Sequence, residues 1–259
     1  MKGCLIALLT DFGTGDPYVA AMKGVILSIH PGARLTDITH DIPRHDVTSA
    51  AYTVRCVAPY YPARTIFLCV VDPGVGTDRR ILCLRKGKQV FIAPDNGLLN
   101  FVSDRGKSER WYSLKIPLRP GAVSPTFHGR DVCAPAAARI AAGARLSIVA
   151  RAIPLLHARD LFIDIPGRRG AVVKGSVLHV DHFGNIVSNI RMPDRSRAEL
   201  KLRIAGRTIR RICPAYEDGP DRSPFLIGGS NGLLEVSVKR GSAADILNVK
   251  TGDGVELRT

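Results

Sequence analysis

The sequence predicts an α/β N-terminal domain with a mostly parallel, Rossmann-like sheet, followed by a small all-β barrel domain at the C-terminus. Six consecutive apolar residues at 66–71 are typical of a strand buried on both faces, as in parallel sheets. Strand-like and helix-like segments alternate over about the first 165 residues, which is the pattern of α/β folds. Strand patterns dominate from residue 167, so we predict domains at residues 1–163 and 168–259.

Turn, cap and periodicity signals define the elements of the N-terminal domain. Asp16 and Pro17 form a typical helix start, and Asp46 and Asp131 can each cap a later helix. The helix after Asp131 is rich in alanine and ends before Gly143. Strands are predicted at residues 5–10, 34–38, 66–71, 81–84 and 90–93, with a hairpin turn at 85–88.

Alternating apolar and charged residues indicate the strands of the second domain. Leu200, Leu202 and Ile204 alternate with charged residues, as in a half-exposed strand. Predicted strands cover residues 172–180, 186–190, 200–204, 209–212, 234–238 and 255–257. We expect these short strands to pair antiparallel into a barrel or sandwich.

Composition restricts the class of protein. The 259 residues are 45% hydrophobic and 23% charged, which is ordinary for a globular protein. No uncharged apolar stretch approaches the roughly 18 residues of a membrane span, so we predict no membrane association. The N-terminal apolar run superficially resembles a signal peptide, but Asp11 interrupts it. The six cysteines show no C-x-x-C spacing, and we place the protein in the cytoplasm with reduced thiols.

The chain is basic, with a formal net charge of +14. Residues 167–211 hold 11 Lys and Arg against 3 Asp and Glu. Such a segment could bind nucleic acid, but Phe183 is its only aromatic residue for stacking on bases. A solvated basic face is therefore favoured, and a nucleic-acid-binding module remains the second alternative.

Polar residues follow several predicted strands, next to glycines. Asp72 ends the strand at 66–71, Arg79 lies seven residues further on, and His128 is the best candidate base. Carboxyl ends of parallel strands share one edge, where ligands of open α/β sheets bind. We therefore expect these three residues to converge. Asp11, after the first strand, could accept two hydrogen bonds from a ribose diol or serve as a turn or cap residue.

Signatures of other nucleotide enzymes are absent. Gly13 and Gly15 begin a dinucleotide fingerprint, but Tyr18 stands where its third glycine belongs. The chain also lacks a Walker loop.

A metal-dependent hydrolase of a nucleoside-type substrate is the first alternative. Hard divalent cations prefer oxygen ligands, which Asp11, Asp41 and Asp95 could supply, and His40 could add an imidazole ligand. However, neither H-x-x-x-H nor D-x-D occurs, and Arg79 beside Asp72 would compete with a metal ion. We therefore predict no metal.

Two loops of the second domain carry further candidates. Asp181, Phe183 and Asn185 surround Gly184 between two strands, which a plain hairpin would explain. The same residues offer a charge, an apolar face and an amide, a set that suits an ammonium group and an adenine. A comparable glycine-rich loop at 228–235 leads into another strand.

Motifs spread over the whole chain resemble those of one family. They cover residues 9–13, 18–24, 37–40, 71–76, 93–99, 127–131, 181–185 and 230–235. In this order they are similar to the S-adenosyl-L-methionine (SAM) hydroxide adenosyltransferases. These are adenosine-forming SAM hydrolases related to the fluorinase and chlorinase enzymes.

The resemblance implies residue roles and an assembly. Asp72, Arg79 and His128 match a water-activating triad, whereas halogenating relatives carry an aromatic residue in place of the aspartate and replace the histidine. The implied assembly is a homotrimer, with substrate held between the N-terminal domain of one subunit and the C-terminal domain of the next. The substrate-binding candidates, from the family's adenosine and methionine contacts and the matching motifs, are Asp11, Asp181, Phe183, Asn185, Ser230, Glu235 and Val238.

The resemblance also implies the reaction. Water or hydroxide attacks ribose C5′ of SAM and releases adenosine and L-methionine, with SAM as the substrate and no cofactor. Two departures from the family pattern stand at His45, where relatives often carry an apolar or aromatic residue, and at Val132 and Cys133. Neither changes the triad.

Overall fold

The computed structural model describes residues 4–106, 108–116, 123–154, 166–193 and 200–258. The chain divides into two compact units, Met1–Leu161 and Phe162–Thr259, each with its own sheet. The predicted two-domain organisation is confirmed. The predicted linker at 158–170 falls largely outside the described residues, so the boundaries at 163 and 168 stay predictions.

The N-terminal unit combines seven strands with helices. The strands are β1 (Leu5–Thr10), β2 (Arg34–Thr39), β3 (Ile66–Val70), β4 (Ile81–Lys86), β5 (Gln89–Pro94), β6 (Glu109–Leu114) and β7 (Ala150–Ile153). The helices are α1 (Tyr18–Ile29), α2 (Val47–Val57), α3 (Ala134–Ala141) and α4 (Leu146–Val149). Short 3₁₀ turns lie at Ala58–Tyr60 and Leu98–Phe101.

The sheet of this unit is mixed, with strand order β2-β1-β3-β5-β4-β6-β7. The pairs β1–β2, β1–β3 and β3–β5 are parallel, whereas β4–β5, β4–β6 and β6–β7 are antiparallel. The prediction of a mostly parallel sheet was therefore only partly correct. The tight turn between β4 and β5 is the reason, because a parallel neighbour needs a crossover of a dozen or more residues.

Burial on both faces of β3 agrees with its apolar sequence. All five of its residues are buried, and alternate side chains join different core clusters. Leu68 shares a cluster with Met22 of α1, and Phe67 shares another with Val54 of α2. The strand is therefore covered on both sides and its carboxyl end is fixed in place.

Parallel register brings three polar strand ends to one edge of the sheet. Thr10 of β1 pairs with Val70 of β3, and Leu9 pairs with Thr39 of β2. The residues that follow these strands therefore start at the same edge: Asp11, His40 and Asp72. The N-terminal apolar run that resembles a signal peptide is strand β1, buried in the core.

Of the three N-cap residues predicted from the sequence, one was correct. Asp46 caps α2 by accepting a hydrogen bond from the Ser49 backbone N–H at 2.9 Å. Pro17, not Asp16, occupies the N-cap position of α1. Asp131 does not cap α3, because it lies inside a π-helical turn, Gly129–Cys133, that precedes this helix.

The C-terminal unit is an antiparallel, nearly closed sheet, as a barrel requires. Its strands are β8 (Gly167–Arg169), β9 (Val172–Val180), β10 (Ile186–Arg191), β11 (Lys201–Ile204), β12 (Arg207–Ile209), β13 (Phe225–Gly228), β14 (Leu233–Ser237) and β15 (Gly254–Arg258). The order is β12-β11-β15-β9-β10-β14-β13, with β8 beside β9. A bridge between Ile212 and Leu226 links the segment after β12 to β13. One helix, α5 (Ala243–Leu247), packs on its core.

Within the described ranges, no helix is both long and apolar enough to cross a membrane.

Candidate active site

The loop after β3 returns Arg79 to the carboxylate of Asp72. Arg79 Nε donates to Asp72 Oδ1 at 2.6 Å, and Arg79 Nη2 donates to Asp72 Oδ2. The Thr77 hydroxyl tightens the loop by donating to the carbonyl oxygen of Gly74 at 2.8 Å. The Arg79 and Asp72 side chains are only 3% and 8% exposed. Such a buried bidentate pair fixes the plane of the guanidinium group.

His128 joins this pair through Arg79. Arg79 Nη1 and His128 Nδ1 lie 3.0 Å apart, and His128 is buried. A guanidinium group can only donate, so Nδ1 accepts and the neutral ring carries its proton on Nε2. Arg79 thus commits three of its five N–H groups to Asp72 and His128. The other two can donate to an oxygen atom of a ligand.

The surroundings of His128 favour the neutral ring. Burial lowers the pKa of His128 below its ordinary value, and the charge of Arg79 lowers it further. The nearby carboxylates of Asp72 and Asp131 act in the opposite direction without reversing the shift. At neutral pH the ring is therefore uncharged, as its contact with Arg79 requires.

Gly129 places His128 against the end of β3. His128 immediately precedes the π-helical turn, a feature frequent at functional sites. A Cβ on Gly129 would lie 3.3 Å from Met22 Sδ and 3.4 Å from Val70 Cγ1. The absence of a side chain therefore lets this turn pack against α1 and β3.

Gly76 holds the Asp72 loop against the segment before His128. Its φ is +83°, and a Cβ there would lie 2.6 Å from the carbonyl oxygen of Pro125. Gly76→Ala should therefore destabilise the protein by about 1–3 kcal/mol and lower its activity by displacing the loop. Gly87→Ala is the matched control, because Gly87 has φ +58° but open space around it.

Thermal unfolding and turnover of both variants check this prediction. We expect both to lose stability through backbone strain, and Gly76→Ala alone to lose activity. Equal activity in the two variants would show that the contact with Pro125 does not position the loop.

Asp11 follows β1, and one of its two carboxylate oxygens accepts a hydrogen bond within the protein. Its Oδ2 accepts a hydrogen bond from the His45 backbone N–H at 2.9 Å. His45 adopts a left-handed backbone with φ 66°, which is uncommon outside glycine and asparagine. No described residue hydrogen-bonds to Oδ1, which can therefore accept from a ligand. Asp11 is thus a turn residue whose carboxylate keeps acceptor capacity.

In the C-terminal unit, Asp181 organises the turn between β9 and β10. Its Oδ1 accepts from the backbone N–H groups of Phe183 and Asn185, at 2.9 and 2.8 Å. Its Oδ2 accepts from Asn185 Nδ2 at 2.8 Å. The hairpin interpretation of this motif therefore holds, while Phe183 remains 74% exposed and free of the core.

A buried carboxylate lies near this turn. Glu235 of β14 is 7% exposed, and the Tyr216 hydroxyl donates to its Oε2 at 3.1 Å. Burial raises the pKa of Glu235, and the charge of Asp181 adds to this effect. Burial and the Glu235 charge likewise raise the pKa of Tyr216 to about 12. Of the remaining candidates, Ser230 is exposed and Val238 is buried.

Comparison with known proteins assigns the chain to a family. Residues 6–150 match the N-terminal domain of SAM hydroxide adenosyltransferases, and residues 175–256 match the C-terminal domain. The chain belongs to the SAM hydroxide adenosyltransferase family. A relative from Thermus thermophilus, named (R)-S-adenosyl-L-methionine hydrolase, is 36% identical over 97% of this chain and 98% of its own length.

Two further relatives of this adenosyltransferase family member extend the comparison. A protein from an Actinoplanes species named fluorinase is 29% identical over 96% of this chain and 95% of its own length. A crystal structure of an uncharacterised conserved protein from Thermotoga maritima superposes with a TM-score of 0.85 and 31% identity. It covers 98% of this chain and 100% of that one. The predicted kinship with both hydrolases and fluorinases is confirmed.

Three of the four candidate metal ligands of this family member have other partners. His40 Nδ1 lies 2.9 Å from Thr10 Oγ1, and Asp95 Oδ2 accepts from Arg80 Nε at 2.9 Å. Asp41 is exposed, and Asp11 accepts from His45 as described above. In the part of the chain that the structure describes, no three His, Cys, Asp or Glu side chains form a group that could hold a metal ion.

Two groups of residues escaped the sequence analysis. The rings of Phe12, Tyr18 and Phe127 pack together, with centroids 5.3 to 6.0 Å apart. Each lies within one of the family motifs, in which polar and glycine residues carried the prediction. Tyr216, which donates a hydrogen bond to Glu235, carried no signal, because it lies in a short 3₁₀ turn, Tyr216–Asp218, that precedes Glu235 by 19 residues.

Proposed function

We propose that this protein hydrolyses SAM to adenosine and L-methionine by attack of water or hydroxide on ribose C5′. The observation that carries the proposal is the buried cluster of Asp72, Arg79 and His128 in a chain of this family. The reaction converts the SAM sulfonium cation and water into adenosine, methionine and one proton. The bond from C5′ to sulfur breaks, and its electron pair stays on the neutral thioether.

A buried site suits this chemistry. Attack of hydroxide on a sulfonium cation removes charge as the transition state forms. Two opposite charges attract far more strongly in a medium of low dielectric constant than in water. Exclusion of bulk water therefore helps the reaction, and the leaving thioether needs no general acid.

Each member of the cluster then has one role. The N–H groups of Arg79 that Asp72 and His128 leave free stabilise the developing hydroxide. Asp72 accepts the proton, because Arg79 already occupies the lone pair on His128 Nδ1. His128 keeps the guanidinium group in position through this contact. Because Arg79 supplies the positive charge, the proposed reaction needs no metal and no cofactor.

Substrate binding involves the other candidates. We assign the ribose hydroxyls to Asp11, the adenine to Asn185 and the backbone near Val238, and the methionine end to Asp181 and Ser230. Phe183 and Glu235 complete this set, Phe183 with an exposed ring and Glu235 with a buried carboxylate. The family resemblance supports these roles, together with the acceptor capacity that Asp11 retains.

We also propose a homotrimer in the cytoplasm. The trimer, with sites at subunit interfaces, rests on the family resemblance, and light scattering distinguishes one chain of 28.0 kDa from three. The cytoplasmic location is supported by six free cysteines, of which Cys69, Cys83, Cys133 and Cys213 are buried.

The test is adenosine formation from SAM with EDTA present. We expect adenosine and methionine in equal amounts and unchanged rates with EDTA. Because the Thermus relative is named for the (R) form, the sulfonium epimers should be assayed separately, and we expect the (R) epimer to be preferred. If the folded protein forms adenosine from neither epimer of SAM, the proposal is refuted.

Two outcomes would favour the alternatives. Activity that is lost with EDTA and restored by a metal would indicate a metal-dependent hydrolase. Retardation of RNA or DNA on a gel, with a steep dependence on salt and no hydrolysis of SAM, would indicate a nucleic-acid-binding module.

A further inference from the structure

A line of polar side chains lies behind Asp11 at the edge of the sheet. Thr10 is fully buried and His40 is 5% exposed, and Thr10 Oγ1 lies 2.9 Å from His40 Nδ1. Burying two polar side chains costs free energy unless they are bonded to each other, and apolar residues could fill the same volume. Their presence therefore calls for a role beyond packing.

The far end of this line is charged. His40 Nε2 lies 3.1 Å from Asp37 Oδ1, although its N–H does not aim straight at this oxygen. Lys23 of α1 donates to Asp37 Oδ2 at 2.7 Å. Partial burial works to raise the pKa of Asp37, but the hydrogen bond from Lys23 and the nearby imidazole of His40 lower it below its ordinary value. An ionised Asp37 thus links β2 to α1 and lies beside His40.

The end of this line that lies nearest Asp11 fixes the loop that carries Asp11. The Phe12 backbone N–H donates to Thr10 Oγ1 at 3.2 Å, and the Gly13 N–H donates to the carbonyl oxygen of His40 at 2.8 Å. The Thr10 side chain and the His40 backbone therefore hold the backbone directly after Asp11. With the His45 N–H on Oδ2, three hydrogen bonds define where the Asp11 carboxylate stands.

We propose that His40 is a positioning residue that orients Asp11, through Thr10, towards the two ribose hydroxyls of the substrate. This inference rests on the proposed function, in which Asp11 binds the ribose. A carboxylate that accepts from both hydroxyls must be held within about 0.5 Å of the right place. Loss of the contact between His40 and Thr10 therefore weakens binding of the ribose diol and leaves other contacts intact.

The experiment compares binding of adenosine and 2′,3′-dideoxyadenosine by calorimetry. In His40→Gln the amide mimics Nε2 and loses the contact with Thr10, whereas in His40→Asn the amide mimics Nδ1 and keeps it. His40→Gln should weaken adenosine binding by about 2- to 10-fold and leave dideoxyadenosine binding unchanged. His40→Asn should retain most of the preference for adenosine.

Thr10→Val tests the same contact in case His40→Gln fails to fold. Its matched control is Thr65→Val, because Thr65 is also buried and donates to a loop carbonyl, that of Pro62, at 2.7 Å. Thr65 lies at the opposite end of β3, beyond reach of Asp11. Both variants should lose stability, and only Thr10→Val should lose the preference for adenosine.

The outcomes separate the inference from the function on which it rests. An unchanged preference in both His40→Gln and Thr10→Val would overturn the role of His40 while hydrolysis by the wild type stands. A wild type that hydrolyses SAM but binds both nucleosides equally would overturn it too, because Asp11 would then not contact the diol. A wild type that neither binds adenosine nor forms it would refute the proposed function itself.

Discussion

Asp72→Asn should lower the rate of adenosine formation from SAM by about 10²- to 10⁴-fold. The substitution removes the negative charge and turns an acceptor towards Arg79 into a donor. The guanidinium group then loses its fixed plane, and the site loses its proton acceptor. Adenosine affinity should remain close to that of the wild type, because no contact to adenosine is assigned to Asp72. Steady-state kinetics and calorimetry measure the two effects.

Asp95→Asn is the control, because the buried Asp95 carboxylate also accepts from an arginine, the neighbouring and partly exposed Arg80. Arg80 Nε and Nη2 donate to Asp95 Oδ2 at 2.9 and 2.6 Å, and Asp95 is 2% exposed. Breaking the buried Asp72–Arg79 pair should cost about 3–5 kcal/mol, and loss of the Asp95 charge should also destabilise the fold, so both variants should unfold at lower temperature. Only Asp72→Asn should lose turnover below its melting temperature. An equal loss in both would indicate a structural role for Asp72.

Acid should inactivate the enzyme through His128. The pKa of His128 is below its ordinary value of about 6.5, so the ring is neutral at pH 7. As pH falls through the lowered pKa, a proton on Nδ1 would face the N–H of Arg79, and the contact would become repulsive. We expect kcat to be constant near neutral pH and to fall by about tenfold per pH unit below this pKa.

The free energy of unfolding should also decrease as the pH falls. A group whose pKa is lower in the folded state stabilises the fold fully above its unfolded pKa, and this contribution disappears as pH falls through the folded pKa. The free energy of unfolding should therefore begin to decrease below about pH 6.5. Equilibrium unfolding in denaturant at several pH values measures this decrease.

Two variants test whether His128 causes the acid limb. His128→Asn keeps an acceptor for Arg79 that does not titrate, so the acid limb of kcat should move to lower pH. His128→Ala removes the acceptor and should lower kcat by about 10²-fold at neutral pH. An acid limb that stays in place in His128→Asn would assign the titration to another group.

Much of the site was predictable because its signals are local. The burial of β3 follows from its five apolar residues, and Asp72 must follow where that strand ends. The glycines at 74 and 76 show that the chain turns at once, so Arg79 returns to a nearby carboxylate. Asp46 was correct as a cap for the same reason, since its partner is only three residues away.

Errors arose where another contact competes with the predicted one for the same group or strand edge. Asp131 had the sequence of a helix cap, but Ser124 and Arg130 bind its carboxylate instead. A mostly parallel sheet was expected from apolar strands, yet β6 pairs antiparallel with β4, and β7 pairs antiparallel with β6. Neither choice is encoded in the local pattern of apolar residues.

By itself, the sequence determined the family, the two-domain organisation and the residues that reach the sheet edge. Its strand, turn and glycine signals act over fewer than about ten residues, so they can be read without a fold. Only the tertiary structure decided the contacts by which Arg79, already named from the sequence, meets Asp72 and His128. Arg79 and Arg80 are chemically identical neighbours, and only Arg79 contacts both Asp72 and His128. Packing of Gly76 on Pro125 and of Gly129 on Val70 makes that choice, because close packing between distant segments fixes positions that local preferences leave open.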